Sequence, residues 1–223
     1  MSFNKEQYQS IIEQLHKQEV KLVAVTKTKP VSDVLDAYAV GQLDFGENYV
    51  QELVDKENEL PKDIRWHFIG HLQRNKVKQI APFVYLIHGV DSLRLLKEIN
   101  KEGIKNNRRI NCLIQVHIAS EETKFGFAVS EIEKVIEDYL NQKNDGLCVK
   151  GLMGMASFTD DKSQVAKEFT ALSELFRKLQ NDHVATEQFN PEILSIGMSG
   201  DYPIAIAAGG NMVRIGSILF GKR

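Results

Sequence analysis

A lysine that ends an apolar run is a candidate for amine chemistry, and KLVAVTKTKP (21–30) holds two, Lys27 and Lys29. Burial and a neighbouring positive charge both disfavour an ammonium group. The neutral amine that results can attack an aldehyde and form a Schiff base. Strand alternation separates the two. Val23, Val25 and Lys27 share one face, Leu22, Ala24 and Thr26 share the other, and Lys29 falls beyond the strand. The competing reading is a surface lysine at a frayed strand end.

A second unusual charge lies far along the chain. Arg214 interrupts the apolar run MVRIGS, where Met212, Arg214 and Gly216 share one face and Val213 and Ile215 the other. A buried guanidinium requires hydrogen-bond partners. A structural ion pair and a bound ligand both meet that requirement. Just upstream, SIGMSGDYPIAIAAGG reads as a strand, a tight turn and a helix. Ser199 or Asp201 suits its N-cap and Pro203 its first turn. Amides at Ser199 and Gly200, with Gly216 and Ser217 on the next strand, could hold a phosphate; alternatively, these glycines only make turns.

Other chemistry has little support. His16, His67, His71, His88, His117 and His183 show no paired metal-ligand spacing. Cys112 and Cys148 lie in apolar runs and read as reduced and inert. No nucleophile elbow is present. The basic segment HLQRNKVK (71–78) reads as a solvated helix face, with Asn75 or Lys76 turned toward a site.

These residues must be positioned by regular elements. An amphipathic helix is expected over about Asn4–Gln18. Strands follow at Lys21–Thr26, Leu43–Asn48, Ile64–Gly70, Phe83–Val90, Ile110–Ile118, Leu147–Ala156, Glu192–Met198 and Met212–Gly221. Helices fill the intervals: Ser32–Val40 capped by Ser32, one to Leu60, one through Ile80, one capped by Asp91 or Ser92, Ser130–Gln142, Ser163–Gln180, and a short one to Ala208. Eight near-continuous apolar strands alternating with helices indicate an α/β fold, a single (β/α)8 TIM-type barrel over residues 1–223. No eighth outer helix follows the last strand, so the N-terminal helix is expected to cover that gap. An open doubly wound sheet is the rival, but its first turn normally carries glycines, and TKTKPVSD has none.

In such barrels the chemistry lies at the C-terminal strand ends. That rule selects Lys27, Glu47 and Asn48, Gly70 and His71, Asp91, His117, Met155 and Ser157, Gly197 to Ser199, and Arg214 to Ser217. A net charge of −2, from 28 basic and 30 acidic residues, offers no general attraction to nucleic acid or anionic membrane. The start MSFNKEQYQS lacks an apolar signal core, and no run reaches membrane-span length. A cytoplasmic monomer is the expectation.

Taken together, AVTKTKP (24–30), FGENYVQE (45–52), WHFIGHLQRNK (66–76), GLMGM (151–155), SIGMSGD (195–201) and VRIGSILFG (213–221) run in order along the chain. The chain thereby resembles the pyridoxal phosphate homeostasis protein family, pyridoxal 5′-phosphate (PLP) binding proteins related to the N-terminal barrel of alanine racemase (fold type III). The resemblance implies that Lys27 is the Schiff-base lysine and that Ser199, Gly216 and Ser217 hold the phosphate. It implies that Arg214 faces the pyridine nitrogen, with Asn48, Met155 and His71 beside the ring. Ser217 replaces a common threonine, and His117, in QVHIASEETKFG, stands where asparagine is frequent. An arginine at the pyridine nitrogen disfavours its protonation and weakens the ring as an electron sink. The implied function is non-catalytic carriage of PLP, with amino acids and apo PLP enzymes as further partners. An amino-acid racemase and a class I aldolase-like barrel are the alternatives. Two-base racemization needs a residue on the opposite substrate face, and the chain ends at strand eight.

Overall fold

The computed structural model describes residues 3–120 and 125–221. Its strands are β1 (Lys21–Val25), β2 (Asp44–Glu47), β3 (Arg65–Phe68), β4 (Leu86–Val90), β5 (Ile110–His117), β6 (Phe127–Ala128), β7 (Leu147–Met155), β8 (Phe189–Met198) and β9 (Met212–Ile215). The helices are α1 (Lys5–His16), α2 (Val31–Tyr38), α3 (Val50–Glu59), α4 (Val77–Ile80), α5 (Leu93–Lys105), α6 (Ile132–Leu140), α7 (Lys162–Asp182), α8 (Tyr202–Ala207) and α9 (Ser217–Phe220). The sheet order β4-β3-β2-β1-β9-β8-β7-β5 is closed by pairing of β4 with β5, and β6 hangs on β5. Every one of these pairings is parallel. The chain therefore forms the closed eight-stranded barrel, not the open sheet.

Alternation sorts the apolar residues into two layers. Leu22, Ala24, Val213 and Ile215 join the large cluster between sheet and helices. Val23, Leu86, Leu113, Met153, Ile193 and Met212 form a small separate cluster that plugs the barrel. Residues of one strand parity thus face helices and those of the other fill the interior, as in barrels of this class. Burying a single Leu- or Ile-sized side chain contributes roughly 1.5–3 kcal/mol, which makes the outer layer the main source of stability.

Several boundaries differ from expectation for identifiable reasons. The helix after β1 begins at Val31 with Pro30 at its N-cap, so Ser32 lies in the first turn and caps nothing. Of the alternatives Asp91 and Ser92, Ser92 accepts the Leu95 amide and caps α5. The last expected strand stops at Ile215; residues 217–220 wind into one helical turn after Gly216. That turn packs against the first helix: the Asn4 amide donates to Leu219 O at 2.8 Å, and the Phe3 and Phe220 rings lie 5.5 Å apart. On its flank, Tyr202 Oη donates to Gln14 Oε1 at 3.4 Å. The N-terminal helix thus fills the place left beside the last strand. Among the described residues, no helix is long and apolar enough to cross a membrane.

Candidate functional site

Lys27 sits in the turn directly after β1, half-buried. The turn is unusually constrained. Thr28 adopts φ 63°, a left-handed conformation costly for a β-branched residue. Its amide donates to Glu52 Oε1 at 2.7 Å. Thr26 Oγ1 donates to Glu47 Oε1 at 2.6 Å, and Lys56 Nζ donates to Thr26 O at 2.8 Å. Lys56 also bridges Glu47 and Glu52, each at 2.7 Å. On the other side, Lys29 Nζ donates to Phe220 O at 2.6 Å and Gly221 O at 3.2 Å. Lys29 is thereby committed to the end of α9. Glu47, at a strand end, faces α3 and serves the turn from outside. Burial pushes its carboxyl up to about 7 despite Lys56, and its Oε2 has no protein partner.

Across the seam from β1 runs β9, with Val23 opposite Arg214. Arg214 is 3% exposed. Its Nη1 donates to Ser195 O at 2.8 Å and Ser195 Oγ at 2.6 Å, and its Nη2 donates to Gly154 O at 3.1 Å. All three acceptors are neutral, and burial lowers its pKa to about 10. The structural ion pair anticipated as one reading is absent among the described residues. Gly216 follows where β9 ends: a Cβ there would meet Val25 O at 3.0 Å. Its amide donates to Ser199 Oγ at 3.2 Å, which joins the turns after β8 and β9. Gly197, at φ 90°, lets α8 close onto β8, because a Cβ would strike Ala205 Cβ at 2.6 Å. Asp201 holds the N-cap position of α8 but turns back to accept the Met198 amide at 2.5 Å.

The remaining anticipated residues divide. Asn48 forms the half-buried bend after β2. Met155 ends β7 and packs on the inner apolar cluster, paired in register with His117. His71, after β3, is exposed, bonds Asp91 Oδ2 at 2.9 Å and stacks on Phe125 at 4.1 Å. Ser217 is exposed at the start of α9 and shares a shallow hollow with the beginning of α1. Ser157 is tied to Glu168 by its amide and hydroxyl, at 2.7 and 2.6 Å. The central residues of the QVHIASEETKFG segment lie outside the described residues. A cavity of about 640 Å³ opens at the opposite, N-terminal end, lined by residues including Lys21, Asp44, Arg65, Leu86 and Met212. Chemistry in this fold resides at the other end, so that cavity is not the candidate site.

Sequence reading missed an interior polar chain. Asp44 Oδ1 lies 2.9 Å from His67 Nε2, His67 Nδ1 lies 2.9 Å from His88 Nε2, and His88 Nδ1 lies 3.0 Å from Ser195 Oγ. Ser195 Oγ then accepts from Arg214. His67 and His88 are fully buried, and burial lowers the pKa of each, that of His88 strongly. The signal was present in strand parity: Arg65 and His67 on one strand, and Leu86 and His88 on the next, are inward positions. Among the described residues, no cluster of His, Cys, Asp and Glu suited to a metal occurs. Cys112 and Cys148 are free and buried, and burial pushes the Cys112 thiol up.

Comparison with known proteins gives one consistent result. Residues 5–223 match the family profile "Alanine racemase, N-terminal domain". A pyridoxal phosphate homeostasis protein of Pasteurella multocida is 38% identical over 209 residues, covering 92% of this chain and 87% of that protein. That of Homo sapiens is 38% identical over 217 residues, covering 91% and 76%. The structure of PipY from Synechococcus elongatus with PLP bound superposes with TM-score 0.85 at 31% identity, covering 97% of this chain and 99% of that one.

Proposed function

The chain belongs to the pyridoxal phosphate homeostasis protein family, and from that membership we propose that it binds PLP at the C-terminal mouth of its barrel and serves as a carrier of the cofactor. The observation that carries this reading is Arg214: a guanidinium buried among neutral oxygens on the strand beside the one that leads into the Lys27 turn. Such a group is costly to bury for structure alone.

The residues of the mouth fit the cofactor. A half-buried amine, a buried cationic donor, and a glycine pressed against β1 where a side chain would collide suit an aldehyde, a ring nitrogen and a closely approaching phosphate. When bound, PLP supplies an aldehyde for an amine and a ring that withdraws electrons. In this reading Lys27 Nζ is the amine, fixed by the clamps on Thr26 and Thr28. Arg214 faces the ring nitrogen and, being positive, disfavours a proton there. Ser199, Gly216 and Ser217 form the phosphate cradle, and Asn48 and Met155 flank the ring. His71 joins the site only from its rim, through its contacts with Asp91 and Phe125.

Carriage without turnover is supported by the names of the relatives, which are homeostasis proteins rather than racemases. In this reading residues 1–223 act as one cytoplasmic, monomeric domain that exchanges PLP with amines or apoenzymes. The test is spectroscopic. Purified protein mixed with PLP is expected to show a visible absorption band, and borohydride reduction followed by peptide mapping is expected to find the cofactor on Lys27. Lys27→Ala is expected to lose both. Modification of another lysine, or turnover of D- or L-amino acids at enzyme-like rates, overturns the corresponding part of the reading.

A further inference from the structure

The chain from Asp44 to Arg214 permits only one consistent direction of hydrogen bonding. Arg214 can only donate, so Ser195 Oγ accepts from it. The single hydroxyl proton of Ser195 is then free to point at His88 Nδ1, 3.0 Å away. At the other end Asp44 is held by Arg65 through Nε at 2.8 Å and Nη2 at 2.5 Å. A carboxylate so paired is ionised and accepts, which places a proton on His67 Nε2. A neutral imidazole with that proton accepts at Nδ1, and His88 must donate to it from Nε2. His88 is then an acceptor at Nδ1, as the Ser195 end requires. The assignments made from the two ends meet without conflict.

We propose that Ser195, His88, His67 and Asp44 form a one-way hydrogen-bond relay that positions Arg214, with both imidazoles neutral and protonated on Nε2. Asp44 begins β2, and Ser195 and Arg214 lie within β8 and β9. The relay therefore joins a carboxylate on β2 to a guanidinium on β9 through three neutral side chains. Each link polarises the next, so a neutral chain transmits the influence of the distant anion. This explains how Arg214 is held in one orientation without a carboxylate beside it. Burial is the main force against a charge on either imidazole; Asp44 opposes it at His67, where Arg65 and Lys21 add to it, and Arg214 adds to it at His88. Gly154 O fixes the second arm of the guanidinium, so Ser195 controls the first. The role assigned to Arg214 rests on the PLP reading above; the relay geometry does not.

The test uses the full chain, first without PLP. Long-range ¹H–¹⁵N NMR of histidine-labelled protein is expected to show two neutral imidazoles with Nε2–H and unprotonated Nδ1. Ser195→Ala is expected to shift the His88 Nδ1 resonance and to weaken PLP retention about tenfold, the scale of one hydrogen bond to a charged group. Ser195→Thr, which keeps the hydroxyl, is expected to restore both. Asp44→Asn is expected to shift the ¹⁵N resonance of the pyridine nitrogen in labelled PLP through the intervening side chains. A charged or Nδ1–H tautomer for either histidine overturns the relay, even where the variants fail to fold. A Ser195→Ala protein with wild-type retention and pyridine shift overturns the positioning role. The stated tautomers in a protein that takes up no PLP overturn the cofactor reading, and the positioning role with it.

Discussion

Two buried polar assemblies leave β2 in opposite directions. From Asp44 a chain of neutral links runs inward through His67, His88 and Ser195 to Arg214. From Glu47, on the outward face, a compact cluster gathers Lys56, Glu52 and the Lys27 turn. The inner assembly separates its charges by three neutral side chains. The outer one presses a cation directly between two carboxylates. The first is suited to holding one donor at a set angle; the second stabilises a strained turn, since Thr28 could not otherwise keep its left-handed backbone. The comparison teaches that strand parity alone decides whether a carboxylate of β2 is linked to Arg214 or to the turn that carries Lys27.

The sharpest way to break the comparison is to remove the cation of the outer cluster. Lys56→Met leaves Glu47 buried and unpaired, and is expected to destabilise the fold by about 3–5 kcal/mol at pH 8 in denaturant titrations. The loss should shrink at pH 5, where Glu47 is protonated. A loss equal at both pH values would deny the cluster its electrostatic character.

Next in size is the pH profile of Glu47 itself. Its folded-state value lies above the ordinary one, so protonation favours the fold. The contribution is greatest below pH 4.5 and is lost as pH rises through about 7. Relative to Glu47→Gln, the wild type is expected to lose ~3 kcal/mol across that window, read from unfolding at a series of pH values. Parallel profiles would place the raised pKa elsewhere.

The inner assembly should be gentler. Arg214→Met leaves only neutral acceptors unpaired, at a cost of about 1–3 kcal/mol, while PLP retention falls far more than stability. Retention unchanged by this variant would sever Arg214 from the site. Smallest is Lys29→Met, which uncaps the carbonyls of Phe220 and Gly221 and should cost about 1 kcal/mol, with a modest loss of PLP uptake. If it abolishes uptake as Lys27→Ala does, the division between the two lysines fails.

The inward aim of Arg214 was legible because Val213 and Ile215 flank it with apolar side chains, and a two-residue period leaves one direction for the charge. The same parity turns His67 and His88 inward, but spacing along the chain does not reveal partners on neighbouring strands. Parallel register sets His67 beside Leu86, one inward step from His88. The helical turn after Gly216 was hidden for another reason: GSILF has the composition of a strand, and tertiary packing on Phe3 and the Lys29 cap decide its conformation. Lys56 was invisible because it reads as one of many charges on a solvated helix. Only the fold shows that Glu47 and Thr26 draw it inside.

The seam between β1 and β9 has a kinetic consequence. It joins the earliest strand to the last, and the Lys29 bond to Phe220 spans 191 positions. Contacts so distant in sequence form late, because loop closure must precede them. Lys27 comes from one side of that seam, and Arg214 and Gly216 from the other. A chain still emerging from the ribosome carries the amine long before the guanidinium and the glycine that complete its surroundings. On the PLP-carrier reading, the capacity to retain the cofactor should therefore arrive abruptly, with barrel closure, and not accumulate as the strands form.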